Sequence, residues 1–237
     1  AVVSLAKDAI ITFVNDTLEI ININPSGRLM FGFSDNSSIT DLKLSGGDSL
    51  TLLVDSAPVP LTLHENSYLI SYTATIPSDT EGTQFQVILE RQSLPGATEN
   101  YTTMTSPFVI LGPENGETFT DTERIDISWS PADNRYELDI WGEMSCTVNS
   151  QTFDSNYSPS TYSDEGAIAF PLSWLRQSIL EDIVENGLSP DVNPMCQLTI
   201  TIKRLNRKSN DPIFEYGSCT AYHSRSRLLN VSLQNGE

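Results

Sequence analysis

The sequence is poor in bases and in histidine. Of 237 residues, 13 are Lys or Arg and 31 are Asp or Glu, which gives a formal net charge of −18, and only 2 are His. A surface of this sign repels phosphate groups, so we expect neither nucleic-acid binding nor attachment to anionic membranes. The chain also lacks an apolar run of the roughly 20 residues that a membrane-spanning helix needs, so we predict no transmembrane segment.

Short motifs of known chemistry are missing as well. The sequence contains no GxSxG, HExxH, CxxCH or glycine-rich phosphate loop, the patterns of serine hydrolases, zinc proteases, haem attachment and nucleotide binding. His64 lies at a loop edge, and His223 follows Cys219 by four positions. A Cys219/His223 dyad is the catalytic alternative, but a satisfied or solvated histidine is the interpretation that we favour. We therefore predict no enzyme and no resident cofactor, with a glycosidase built on paired carboxylates as the third-ranked function.

The three cysteines, Cys146, Cys196 and Cys219, all lie in the second half and none has CxxC spacing. This argues against a zinc site or a thioredoxin-like motif. A symmetric hairpin of residues 196–203 and 212–219 would place Cys196 opposite Cys219, where a cross-strand disulfide is one alternative. The first residue is Ala1 rather than Met, which we interpret as the mature end left by a removed signal peptide. We expect an extracytoplasmic location, meaning secreted, periplasmic or at the cell surface.

What the chain does have is alternation of apolar and polar residues over short segments. Segments 68–76, 85–90, 124–129 and 136–141 all alternate, and Gly, Pro, Asn and Asp separate them. This pattern predicts antiparallel strands, and their spacing is typical of sandwiches or barrels. A polar stretch before residue 106 suggests a boundary there. We therefore predict an all-β fold of two antiparallel β-sandwich domains, residues 1–105 and 106–237.

One segment has a different period. Leu172, Leu175, Ile179 and Ile183 recur at helical spacing, and Gly187 follows as a C-cap. The period of about 3.6 residues predicts a helix near residues 172–186. The second domain therefore carries one short helix.

Four short segments form a recognisable set of motifs. They are PFVI at 107–110, DISWSP at 126–131, IAFP at 168–171 and GTQFQVIL at 82–89. Together they resemble motifs of uncharacterised two-domain exported proteins and lipoproteins of proteobacteria. The resemblance implies immunoglobulin-like sandwiches and a disulfide between Cys146 and Cys196, and it implies no activity. The chain departs from that pattern at Cys219, where an aliphatic residue is expected, and it lacks an N-terminal lipidated cysteine.

The few bases are concentrated late in the chain. Six of the thirteen lie within residues 203–227, and four of them fall on a predicted hairpin loop: Lys203, Arg204, Arg207 and Lys208. A basic loop on an acidic chain suits a complementary contact. We predict a non-catalytic binding or structural module that acts through this loop on a protein partner, or through self-assembly as a subunit of a cell-surface assembly or filament.

The first alternative function is a carbohydrate- or Ca²⁺-dependent adhesion module. Aromatic side chains stack on sugars, and the candidates for a carbohydrate-binding surface are Trp141, Tyr157 and Tyr162. Carboxylates at a sandwich edge suit Ca²⁺, and the candidates here are Asp121, Glu123 and Asp126. Acidic runs are more often solvated faces, and that is the competing interpretation of these three residues.

Overall fold

The computed structural model of the chain describes residues 8–17, 27–35, 38–41, 47–65, 70–76, 80–92, 96–120, 124–157, 161–189, 194–209 and 216–233. The chain forms two compact units. Unit 1 comprises Ala1–Asp16, Ile23–Pro107 and Leu205–His223, and unit 2 comprises Thr17–Asn22, Phe108–Arg204 and Ser224–Glu237. Residues 205–223, which the sequence placed in the second domain, thus belong to unit 1.

The first part of the chain forms ten strands. They are β1 (Asp8–Thr17), β2 (Gly27–Asp35), β3 (Ser38–Asp41), β4 (Ser49–Val54), β5 (Ala57–Val59), β6 (Thr62–Glu65), β7 (Ile70–Thr73), β8 (Thr75–Ile76), β9 (Gln84–Glu90) and β10 (Ala97–Thr103). Strands β10, β9, β4 and β5 form an antiparallel sheet in that order. Strands β1, β2, β7 and β6 are neighbours in a second sheet, with β3 and β8 also paired to β2.

The core of unit 1 follows the period of two that was read from the sequence. On β9, Phe85, Val87 and Leu89 are buried while the residues between them are more exposed. Leu52 on β4 is paired with Val87 and is fully buried. Because residues that are directly opposite in a sheet share a face, these side chains make one apolar surface.

Unit 2 contains the remaining strands and the helix. They are β11 (Val109–Gly112), β12 (Thr118–Thr120), β13 (Arg124–Ser130), β14 (Glu137–Val148), β15 (Gln151–Tyr157), β16 (Tyr162–Ser163), β17 (Ala167–Pro171), α1 (Ser173–Glu185), β18 (Met195–Ser209) and β19 (Tyr216–Ser232). Strands β18 and β19 begin or end in unit 1, because the division between units falls after Arg204 and after His223.

Two sheets of unit 2 share one hydrophobic core. One sheet has the order β11, β13, β17, and β15, β14, β18 and β19 are consecutive strands of the other. Buried side chains from both sheets and from α1 form a single cluster, which includes Ile127, Ile140, Phe170, Ile179 and Ile200. The described residues are therefore mainly β with one helix, as the alternating segments and the one segment of helical period predicted.

The pairing of β12 differs from the predicted antiparallel arrangement. β12 pairs in parallel with the end of β19, with Phe119 opposite Val231. The turn at Pro113–Gly116 causes the difference, because it carries the chain from β11, paired with β13, to β19 in the other sheet. Hydrogen bonds from Gly116 N to Leu228 O and from Asn230 N to Glu117 O hold this turn against β19.

Helix α1 lies within the predicted range of residues 172–186. Leu175, Ile179 and Ile183 are buried, as their spacing predicted. The helix ends where Gly187 adopts a φ of 75°, with Gly187 N bonded to Val184 O and Leu188 N to Ile183 O. This is the left-handed ending for which glycine is suited. Within the described residues, no helix has both the length and the hydropathy needed to cross a bilayer.

A disulfide joins Cys146 on β14 to Cys196 on β18, with their Cα atoms 4.2 Å apart. These strands are neighbours in one sheet, so the bond connects adjacent strands. It is the pairing that the family resemblance implied. The Cys196–Cys219 alternative is wrong because Leu233 N is bonded to Pro194 O, which places Cys196 near the end of β19 rather than near Cys219.

Candidate binding face

The side of β14 that points away from the core carries an exposed functional candidate, Trp141. Leu138, Ile140, Met144 and Cys146 are buried, and the residues that alternate with them point outward. Trp141 is one of these and is 39% exposed. Strand geometry thus presents a large aromatic side chain to solvent on a rigid element.

A groove of about 260 Å³ lies on the same sheet. The outward side chains of β14, β15 and β18 that line it are Glu143, Ser145, Asp154, Asn156, Gln197 and Thr199. We call these residues, together with Trp141 and Lys203, the outer face. Glu143 is paired with Asn156, and Ser145 with Asp154, so the two carboxylates are diagonal neighbours across two strands. This register brings two negative charges to one groove.

Lys203 continues the outward series of β18. Its Nζ lies 5.9 Å from the centroid of the Trp141 ring, within the range of a cation–π contact. The predicted partner-binding lysine and the predicted sugar-stacking tryptophan therefore contact each other on neighbouring strands. Arg207 and Lys208 also belong to β18 by backbone, but their side chains lie outside the described residues. The predicted hairpin loop is instead a strand at all four positions.

The prediction that Arg204 contacts a partner is wrong. Arg204 is 0% exposed, because it continues the inward series of β18 that runs through Leu198, Ile200 and Ile202. Its Nε donates to Asp164 Oδ2 at 2.6 Å, and its Nη2 donates to Pro131 O at 2.6 Å. The period of two was the signal that would have placed this side chain inside.

Asp164 is the centre of this buried network. Its Oδ1 accepts a hydrogen bond from Trp129 Nε1 at 2.7 Å, while its Oδ2 binds Arg204. The Arg204 guanidinium also lies 4.7 Å from the centroid of the Phe108 ring. Buried charges are tolerated when they are paired and hydrogen-bonded. Both carboxylate oxygens are used in holding strands together, which is a structural arrangement.

The three predicted sugar-stacking residues do not share a face. Tyr157 is opposite Gly142, and Tyr162 is opposite the buried Leu138, so both tyrosines lie on the core side of β14. Trp141 points to the other side. Tyr157 packs instead on Phe170, with ring centroids 5.5 Å apart.

A different aromatic group forms around Tyr157. Trp174 at the start of α1 is 51% exposed, and its ring centroid is 5.7 Å from that of Tyr157. Tyr162 and Tyr157 are joined by a side-chain hydrogen bond. Burial raises the pKa of Tyr162 above its ordinary value, and the neighbouring Tyr157 raises it further. Both effects favour the neutral phenol.

The predicted calcium ligands are described only in part. Asp121 and Glu123 lie outside the described residues. Asp126 is exposed and has Arg124 as a neighbour, with Oδ1 and Nε 3.6 Å apart. In the part of the chain that the structure describes, no group of three or more His, Cys, Asp or Glu side chains could hold a metal ion.

His223 is a buried residue of unit 1. Its Nδ1 lies 2.9 Å from the hydroxyl of Thr105, which also accepts a hydrogen bond from the His223 backbone N–H at 3.3 Å. The favoured interpretation, a satisfied histidine, fits this geometry. The side chains of Cys219 and His64 lie outside the described residues.

Comparison with known proteins shows no family for the chain. No protein-family model matches the sequence, and no curated protein matches it. Among solved structures, an I-band fragment of titin is similar at a TM-score of 0.26 and 10% sequence identity. The match covers 94% of this chain and 64% of the titin fragment.

Proposed function

We propose that the chain is a non-catalytic, extracytoplasmic binding module, built from immunoglobulin-like sandwiches, whose unit 2 contacts a protein partner through the outer face. The observation that carries the proposal is the exposed Trp141, held under Lys203 beside the groove. Partly exposed tryptophans and a mixed polar surround are characteristic of protein interfaces. A disulfide between neighbouring strands supports an oxidising compartment.

The non-catalytic role is supported by how unit 2 uses its buried ionisable groups. Asp164 and Arg204 bind each other, Trp129 and the backbone of Pro131. A catalytic acid or base needs a position from which it can reach a substrate. These two groups are instead enclosed between strands and act as connections within the fold.

Photo-crosslinking in cells that naturally produce the chain tests the proposal. A photoreactive phenylalanine analogue replaces Thr199 on the outer face, and in a matched variant it replaces Ala169, which is exposed on the other sheet of unit 2. We expect a covalent adduct with a partner protein from position 199 alone. Adducts from both positions or from neither would reject the outer face as the interface.

A pair of tryptophan variants gives the second measurement. Trp141→Ala should reduce the yield of the adduct from position 199, because it removes the aromatic anchor. Trp174→Ala removes a tryptophan that is more exposed than Trp141 but lies outside the outer face, and it should leave the yield unchanged. Equal losses in both variants would indicate a general effect of surface tryptophans and contradict the proposal.

A further inference from the structure

The charges around the groove indicate what kind of partner fits it. Glu143 and Asp154 are both exposed and line the groove from neighbouring strands. The register makes them diagonal neighbours, at roughly 7–8 Å between strands. The side chains of Ser145, Asn156, Gln197 and Thr199 are uncharged. The groove thus has two carboxylates and several neutral acceptors, and the described residues that line it include no base.

We infer that the partner is a basic polypeptide that inserts a lysine or arginine side chain into this groove. The inference rests on the proposed binding function of the outer face. An ammonium or guanidinium group between the two carboxylates would receive charge-assisted hydrogen bonds. Amide and hydroxyl oxygens of the neighbouring side chains supply further acceptors.

Trp141 adds an apolar component to the same site. It lies two positions before Glu143 on the same side of β14. The aliphatic stem of an entering lysine or arginine can pack along the part of the ring that stays exposed beside Lys203, while its charged end reaches the carboxylates. The site therefore matches both parts of a long basic side chain.

The overall charge favours this partner over a second copy of the chain. The net charge of −18 attracts basic proteins and accelerates their encounter. Two identical chains would repel each other by the same field. Lys203, the basic residue of the outer face, already has the Trp141 ring as a neighbour.

Binding of a fluorescent oligolysine peptide to the full chain tests the inference at low salt, with oligoglutamate as the matched negative probe. The double variant Glu143→Gln, Asp154→Asn removes both groove charges. The control Glu185→Gln, Asp126→Asn removes the same charge from exposed positions outside the groove. Circular dichroism and thermal melting verify that all three proteins are folded.

We expect the groove variant to weaken oligolysine binding about tenfold and the control variant less than about twofold, as two well-placed charge pairs suggest. Equal losses of oligolysine affinity in the two variants would show that only the net charge of the chain matters, and this would overturn the inference. Absence of oligolysine binding to the natural sequence would also overturn it. The inference would also be overturned if millimolar Ca²⁺ displaced oligolysine and monovalent salt of equal ionic strength did not. The groove would then select a divalent ion.

The same variants separate this inference from the proposed function. In the crosslinking experiment, an unchanged adduct from position 199 after Glu143→Gln, Asp154→Asn would leave the outer face as the interface and reject the basic partner. Absence of any adduct from position 199 when Glu143 and Asp154 are unchanged would reject the interface itself.

Discussion

Arg204 and Asp164 form an ion pair with no exposed side-chain surface, and Arg204 Nη2 lies 2.6 Å from Asp164 Oδ2. The two residues come from β18 and from the segment between β16 and β17, forty positions apart in the sequence. Trp129 donates a further hydrogen bond to Asp164, and the backbone carbonyl of Pro131 accepts one from Arg204. The carboxylate of Asp164 thus connects Trp129, near the end of β13, to Arg204 on β18.

Breaking this pair should destabilise the protein strongly. Asp164→Asn leaves the Arg204 charge buried without a counter-charge, and Arg204→Met leaves the carboxylate in the same state. We expect each single variant to lower the free energy of unfolding by about 3–5 kcal/mol, and the double variant to lower it by less than the sum. Urea denaturation of the four proteins measures both quantities.

An exposed pair provides the control for that measurement. Arg124→Met breaks the contact with Asp126, in which both side chains are largely solvent-exposed. The expected change is below about 1 kcal/mol. If Arg124→Met and Arg204→Met lowered the free energy of unfolding by similar amounts, burial would not be the reason why the Arg204–Asp164 pair stabilises the protein.

Removing the disulfide should also cost stability. The Cys146–Cys196 bond closes a loop with a sequence separation of 50, for which chain entropy predicts about 4 kcal/mol. We expect the double variant Cys146→Ala, Cys196→Ala to lose about that much in urea denaturation. Because Cys146 and Cys196 are paired, Cys219→Ser should eliminate the free thiol that we expect in the denatured, unreduced protein. Two free thiols after Cys219→Ser would contradict the assigned pairing.

Gly142 is a position where a side chain should not fit. A Cβ atom there would overlap the Phe170 ring, and overpacking of a core usually costs about 1–3 kcal/mol. We therefore expect Gly142→Ala to lower the thermal midpoint. Gly112→Ala is the matched control, because its Cβ would meet Ser128 Oγ at an ordinary 3.5 Å. A larger loss at Gly112 than at Gly142 would refute the packing argument.

The raised pKa of Tyr162 makes a prediction for alkaline pH. Burial and Tyr157 raise the pKa in the folded state above the ordinary value of 10.0. The folded state therefore holds its proton when the unfolded chain has begun to lose it. This contribution to stability is complete below about pH 10 and is lost as pH rises through the folded pKa.

The measurement compares unfolding free energies between pH 9 and pH 11, a window set by the tyrosine pKa of about 10. Tyr162→Phe should show a shallower decline with pH than the natural sequence, since it has no proton to lose. Tyr101→Phe alters an exposed tyrosine and should follow the natural sequence. Identical slopes for all three proteins would remove Tyr162 as the cause.

The sequence predicts those features that depend on neighbouring residues. Ile125, Ile127 and Trp129 alternate with polar residues, and all three are buried on β13. The helical spacing of Leu175 and Ile179 likewise corresponds to the buried side of α1. Local periodicity was sufficient there because one face of each element packs on the core.

The candidate site was harder to predict because it depends on register and on distant partners. Composition placed Arg204 outside, since basic side chains are usually exposed, whereas the counter-charge of Asp164 and the carbonyl of Pro131 make its burial tolerable. Tyr157 and Trp141 were grouped because both are aromatic, but strand pairing puts their side chains on opposite faces of the sheet. The sequence identified these residues as candidates by their side-chain type, but it did not predict which face of the sheet each side chain lies on.

The distribution of β18 and β19 between the units has an evolutionary consequence. Unit 1 is assembled from Ala1–Asp16, Ile23–Pro107 and Leu205–His223. A single recombination crossover near residue 107 would separate unit 1 from its segment Leu205–His223, which contains the end of β18 and the start of β19. That segment would remain with unit 2. The two units are therefore not interchangeable cassettes, and we expect them to be inherited, duplicated and lost together.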